Sequence, residues 1–295
     1  MPTLAPLDPS LLRRLDALQL AIRRMRWGSV LGGRYAIARR GSSIEFADYA
    51  AYTPGDDIRS IDWNLYARLD RLYVKTYQEE VELSVEIIVD ATASMALPTP
   101  KKFERALQLA CCLAYVALVG RHRLRMSWIA PGAPRATPWC TRRAHVNRLT
   151  EWAGRVAPQG TVPMAEWMRN AVAGLRIHGG QAILVTDGLI APAELFKALH
   201  GLMMQRVELK MLQVLTPQEL HPARMFRGGV LVDSESGQTH ELAYGAEELE
   251  RAVLAHNEQL SRFCTRQGIV FAQHQLDESL EEAVLKTLPS HGFFE

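Results

Sequence analysis

Two short apolar runs constrain this chain more than anything else in its 295 residues. Val85-Glu-Ile-Ile-Val-Asp90 and Ala182-Ile-Leu-Val-Thr-Asp187 are rich in β-branched residues, and each stops at an aspartate. They are too short for useful helices and suit strands buried on both faces. Residues 103–119 are apolar nearly all round, as a helix buried between layers is. Further helices are predicted over 144–156, 163–175 and 191–202, in a long segment ending near 267, and over 278–288. Further strands are predicted over 72–78, 123–129, 207–215 and 268–276, with an antiparallel edge strand over 135–142. Residues 228–242 read as a β-hairpin turning near Ser236-Gly237. Strands alternating with helices predict a doubly wound, mostly parallel α/β sheet.

Such sheets carry their sites at the carboxyl ends of the strands. The first run continues Asp90-Ala-Thr92-Ala-Ser94, so two hydroxyls follow the carboxylate at alternate positions. Gly160-Thr161 lies in a loop between the helices that precede the second run. Asp90, Thr92, Ser94, Thr161 and Asp187 are therefore five oxygen donors from three segments that the fold can bring to one edge. Hard oxygens suit Mg²⁺ or Mn²⁺. The other reading is that Thr92 and Ser94 cap the next helix, and D-x-T-x-S alone does not decide. Neither motif contains a Lys or Arg. Two carboxylates so placed repel and raise each other's pKa unless a cation sits between them.

The bulk properties narrow the class. With 34 basic and 32 acidic residues, no overall field argues for nucleic acid. Residues 1–40 do hold eight arginines and no lysine, the one support for an RNA-binding reading. Leu11, Leu15, Leu18, Ile22 and Met25 recur there at helical spacing, and the bland expectation is that this stripe packs on its own domain. Four irregularly spaced cysteines indicate a reduced, cytoplasmic protein. No signal-peptide pattern opens the chain, and the longest apolar run, 109–119, is well short of the ~20 residues of a membrane span.

Residues 40–68 form an unusual segment. Pro54-Gly55 marks a turn, Asp62 is placed to cap a short helix, and Asp56, Asp57, Arg59, Asp62 and Arg68 crowd among Tyr49, Tyr52, Trp63 and Tyr66. The expectation is a self-satisfied network of charges and aromatics, with Trp63 buried; the alternative is a docking surface. The domain boundary is expected near 80. Residues 1–80 hold the basic helix and this segment, and 81–295 hold the sheet, with a hairpin insertion near 227–243.

The five donors resemble the metal-ion-dependent adhesion site of von Willebrand factor A domains, with Thr92 where that family usually has Ser. A closer resemblance spans nearly the whole chain. Arg40-Gly41, Glu45-Phe46, Asp48-Tyr49, Tyr52-x-Pro54-Gly55-Asp56-Asp57, Arg59, Ile61-Asp62-Trp63 and Ala67-Arg68, then Asp90 to Met95, resemble a bacterial von Willebrand A-like family. It is catalogued as domain of unknown function fifty-eight. Its members are commonly encoded beside AAA+ ATPases of the MoxR type. The resemblance implies a non-enzymatic, metal-dependent interaction module. It would be an adaptor for such an ATPase in assembly or maturation of client complexes, with a partner carboxylate completing the metal site. This chain has no G-x-x-x-x-G-K-[ST] loop of its own. The enzymatic alternative is a metal-assisted phosphohydrolase with Asp90 as nucleophile, but the position that should supply its general acid is Thr92.

Overall fold

The structure, a computed structural model, describes residues 7–21, 44–79, 83–130, 135–160, 180–204, 207–225, 229–232, 239–242 and 246–295. They form α1 (Pro9–Leu15), β1 (Ile44–Ala51), α2 (Trp63–Leu69), β2 (Tyr73–Glu79), β3 (Ser84–Asp90), α3 (Lys101–Val119) and β4 (Arg123–Ile129). Next come β5 (Arg135–Ala136), α4 (Val146–Ala153), β6 (Gly180–Thr186), α5 (Pro192–Met203) and β7 (Val207–Leu215). After them stand β8 (Gly229–Val232), β9 (Thr239–Leu242), α6 (Ala246–Gln267), β10 (Val270–Gln275) and a run of short helical turns to Ser290.

The chain divides into two compact units, 24–82 and the remainder. The first helix, grouped with residues 40–68 in the sequence reading, belongs to the same unit as the main sheet. That sheet has the order β10-β7-β6-β3-β4-β5, and every pairing is parallel except the last. Successive residues of β3 point to opposite faces. Val85, Ile87 and Val89 join a core with α3, α4 and the C-terminal turns, whereas Ile88 joins Ala182, Leu184 and residues of α5 and α6. Helices therefore cover both faces, which is the doubly wound arrangement expected. Ile87 and Ile88 are fully buried, and each contributes about 1.5–3 kcal/mol relative to exposure.

Three expectations need correcting. The N-terminal helix stops at Leu15 and does not run to Met25; Asp16 is its C-cap, and Leu20 pairs as an isolated bridge with Phe294. Ile22 and Met25 lie outside the described residues. Leu11 and Leu15 are buried in the sheet's own core, and the Tyr115 hydroxyl and Arg143 both donate to Asp16. The edge strand is only Arg135–Ala136, with one further bridge from Cys140 to Leu124. The hairpin is present as β8 pairing antiparallel with β9, while its turn, like the helix expected over 163–175, lies outside the described residues.

In the smaller unit β1 and β2 pair antiparallel, with a register shift between Phe46 and Asp48. Asp62 caps α2 as its position suggested, accepting from the amides of Asn64 and Leu65 and from the Tyr49 hydroxyl. Asp57 accepts from the Arg59 amide, and Asp56 from the amide and hydroxyl of Thr53, closing the Pro54-Gly55 turn in which Gly55 takes φ 109°. The third correction falls here. Trp63 is 59% exposed, beside exposed Ile58, Tyr66 and Leu69. None of the seven residues of α2 is buried, and the Trp63 ring meets Tyr66 edge-on at 6.2 Å. Arg40 lies outside the described residues, and of Glu45 and Phe46 only the backbone is described, on β1.

Candidate functional site

Chain direction in the sheet changes between β3 and β6. From β3 the chain passes through α3 to β4 on one side, and from β6 through α5 to β7 on the other. Loops leaving neighbouring strands in opposite directions open a crevice at their carboxyl ends. Asp90 ends β3, and Asp187 directly follows β6, so the order of the strands brings the two aspartates together.

Asp90 and Asp187 are both buried, at 2% and 1% exposure. Asp90 Oδ1 accepts from the Thr92 amide at 3.0 Å and from Thr92 Oγ1 at 2.7 Å; Thr92 Oγ1 is 3.1 Å from Ser94 Oγ. Oδ2 of Asp90 accepts from Thr186 Oγ1 at 2.6 Å. Residues 93–96 form a 3₁₀ turn with Thr92 at its N-cap position, yet the Thr92 side chain makes no capping bond. Its hydroxyl is turned to Asp90 instead, so the helix-capping reading does not account for it. Burial first, and then the charge of Asp187, push the Asp90 carboxyl up to about 6 against the pull of its hydrogen bonds. The loop leading to the fifth candidate is stitched to the same turn: the Gln159 amide donates to the Ala91 carbonyl, and the Ala93 amide to the Gly160 carbonyl. Thr161 itself lies outside the described residues.

Asp187 has a partner that the sequence reading missed. Lys102, in the first turn of α3, is fully buried and donates from Nζ to Asp187 Oδ2 at 2.9 Å and to Glu219 Oε1 at 2.6 Å. Burial works to lower the pKa of this ammonium, but the two carboxylates outweigh it and the net direction is up. Glu219 is held in turn by the capping box of the helical turn after β7, where its Oε2 accepts from the amide and hydroxyl of Thr216. The expectation that no base neutralises the aspartates is therefore corrected. Neither motif contains Lys102; the fold delivers it from α3. Asp187 Oδ1 accepts from the Leu189 amide, its carbonyl accepts from Gln213, and the Gly188 carbonyl faces His256.

The donors fit a divalent cation in kind. They are hydroxyl and carboxylate oxygens, and Asp90, Asp187, Glu219 and Lys102 together carry a formal charge of −2 in a buried place. Among the described residues no group of three or more His, Cys, Asp or Glu is placed to hold a metal ion, so any site here depends on hydroxyl oxygens as well. The position from which a phosphohydrolase with Asp90 as nucleophile would need a general acid is Thr92, whose hydroxyl donates to Asp90 Oδ1.

The model of the family described as "Protein of unknown function DUF58" matches residues 48–263. The chain belongs to that family. The uncharacterized protein Rv1480 of Mycobacterium tuberculosis is 27% identical to this DUF58 chain over 264 residues, 86% of this chain and 81% of that protein. Among solved structures, a von Willebrand factor type A structure from Catenulispora acidiphila is 14% identical with a TM-score of 0.45. It covers 75% of this DUF58 chain, which spans only 44% of its length. The conserved hypothetical protein BatB from Bacteroides thetaiotaomicron is 16% identical with a TM-score of 0.40, over 71% of this chain and 98% of that one. Among the described residues of the DUF58 chain, no helix is long and apolar enough to cross a membrane.

Proposed function

We propose that this chain is a non-enzymatic, metal-dependent protein-interaction module. One observation carries the reading: buried Asp90, Thr92 and Asp187 and half-buried Ser94 cluster at the switch point of the sheet, and with its neighbours that cluster holds a charge of −2. Asp90, Thr92, Ser94, Thr161 and Asp187 would hold Mg²⁺ or Mn²⁺. When bound, the ion supplies a position for a Glu or Asp of the partner. The chain's own residues do the rest. Thr92 and Thr186 fix the Asp90 carboxylate, Leu189 fixes Asp187, and Glu219 keeps Lys102 in place.

By family resemblance the partner is a MoxR-type AAA+ ATPase, which this chain would serve as an adaptor in assembly or maturation of client complexes. The exposed Ile58, Trp63, Tyr66 and Leu69 of the smaller unit support a role in docking. The test is calorimetry of Mg²⁺ into chelated protein, with pull-down of a purified MoxR-type ATPase in Mg²⁺ and in EDTA. One divalent site is expected, absent in Asp90→Ala, with capture lost in EDTA while circular dichroism is unchanged. Equal capture in EDTA and Mg²⁺ overturns the metal dependence.

A further inference from the structure

Lys102 lies outside both aspartate motifs, yet it is bonded to one of their carboxylates. The ammonium is fully buried, and its described partners are two carboxylates from different loops, Asp187 after β6 and Glu219 after β7. Asp187 is one of the candidate metal ligands. One of its oxygens accepts from the Leu189 amide and the other from Lys102, so a second cation at Asp187 must share it with the ammonium or displace it. Like charges a few ångströms apart repel strongly where water is excluded. An ammonium also differs from a dication in being tethered: it is present at a fixed local concentration whatever the ionic conditions.

We propose that Lys102 is the resident counter-ion of this site, with which any divalent cation must compete for Asp187. This rests on the metal-dependent reading above. In the metal-free protein Lys102 offsets the charge of Asp187 and Glu219 and keeps the crevice folded. In the presence of metal it holds affinity down, so that occupancy follows the free ion concentration and the arrival of a partner carboxylate. The Thr216–Glu219 capping box gives the ammonium somewhere to remain when Asp187 turns to another cation, because Glu219 Oε1 stays available to it.

The test uses the full chain with Lys102→Met and Lys102→Arg. Mg²⁺ affinity is read by calorimetry, and fold by urea denaturation in EDTA and in Mg²⁺. Lys102→Met should bind Mg²⁺ about tenfold tighter or more, whereas Lys102→Arg, which keeps the charge, should stay within about threefold of wild type. In EDTA Lys102→Met should be less stable than wild type, and Mg²⁺ should restore it. If Lys102→Met does not fold without metal but folds in Mg²⁺, the exchange of one cation for the other is seen directly. A folded Lys102→Met that binds Mg²⁺ no tighter than wild type overturns the proposal, as does one that stays unfolded in Mg²⁺. The two readings fail separately. Binding by Lys102→Met alone sinks metal dependence of the wild type and leaves the counter-ion role standing; equal binding by both does the reverse. Binding by neither sinks both.

Discussion

Replacing Asp90 by Asn should make the metal-free protein more stable, although Asp90 is a candidate metal ligand. The Asp90 carboxyl is buried beside Asp187, and its pKa is pushed from 3.8 to about 6. The sign follows from linkage. Between 3.8 and about 6 the folded state binds more protons than the unfolded state, so this group's contribution to stability is greatest in acid. It is lost as pH rises through that window. The full loss corresponds to about 3 kcal/mol. Asparagine never ionises and escapes it, but its one acceptor oxygen serves Thr92 as a neutral partner while its NH2 group faces the Thr186 hydroxyl, whose bond must reverse; that offsets about 1–2 kcal/mol. The net expectation near pH 7.5 in EDTA is therefore a gain of about 1–2 kcal/mol, shrinking or reversing near pH 4.5. Urea denaturation of both proteins at the two pH values measures it. The difference between the proteins cancels the titrating groups remote from the cluster and leaves Asp90 together with its coupling to Asp187. A variant less stable than wild type near pH 7.5, or a difference that ignores pH, refutes the account of the cluster as over-charged without metal.

Trp63→Ala should change stability by no more than about 0.5–1 kcal/mol, since its 59% exposed ring loses little besides the edge contact with Tyr66. A loss of several kcal/mol in chemical denaturation would restore the buried-ring expectation, whereas an intact fold that no longer captures the ATPase would assign the exposed face to docking. His122 titrates in the opposite sense to Asp90. Burial lowers its pKa, and its Nδ1 accepts from the Leu83 amide. Below its ordinary value of 6.5 the unfolded state binds the extra proton first, so stability falls as pH drops from 6.5 toward the lowered value. His122→Gln should flatten that part of the pH–stability curve, and an unchanged slope would show that the imidazole is not the group responsible.

The central strands β3 and β6 were legible because they are mostly apolar and buried on both faces. A run such as Val85-Glu-Ile-Ile-Val has no polar stripe to give water, so burial between two helical layers is its one economical placement. Where the inward face was thin, the reading overreached. The stripe Leu11, Leu15, Leu18, Ile22, Met25 looks continuous at helical spacing, yet the helix ends at Leu15. Beyond it Leu20 is buried in an extended bridge with Phe294, a partner nearly the whole chain away that no local pattern announces. Trp63 failed for a related reason. Aromatic crowding suggests a core, but residues 63–69 make less than two turns, and Asp62, Asp57 and Asp56 direct their carboxylates to nearby backbone amides rather than drawing the segment around the indole.

The site was half legible, and the missing half had a readable signal. Lys102, Ala106, Leu109 and Leu113 stand at positions i, i+4, i+7 and i+11 of α3, and the last three form a buried apolar stripe. A lysine on that stripe is either a helix-end residue reaching water or a buried charge that must find carboxylates. Neighbouring Lys101 is exposed and Lys102 is not, so the phase of the helix, and not the Lys-Lys pair itself, separates the two cases. Its second partner was also written in the chain, as the Thr216-Pro-Gln-Glu219 box in which one carboxylate oxygen serves the cap and the other is left to point elsewhere. Lys102 already neutralises part of the cluster. The aspartates are not bare, and Asp187 is already paired. What remains is an excess: three carboxylates against one ammonium, with Asp90 held by two hydroxyls and one amide that stabilise its charge without cancelling it. A cluster of net charge −2 in a water-poor crevice can relieve that excess by taking up protons, at Asp90 first, or by taking up one divalent ion. Near neutral pH protons are scarce and Asp90 is largely ionised, so the divalent ion is the neutraliser that the chain's own charges leave room for.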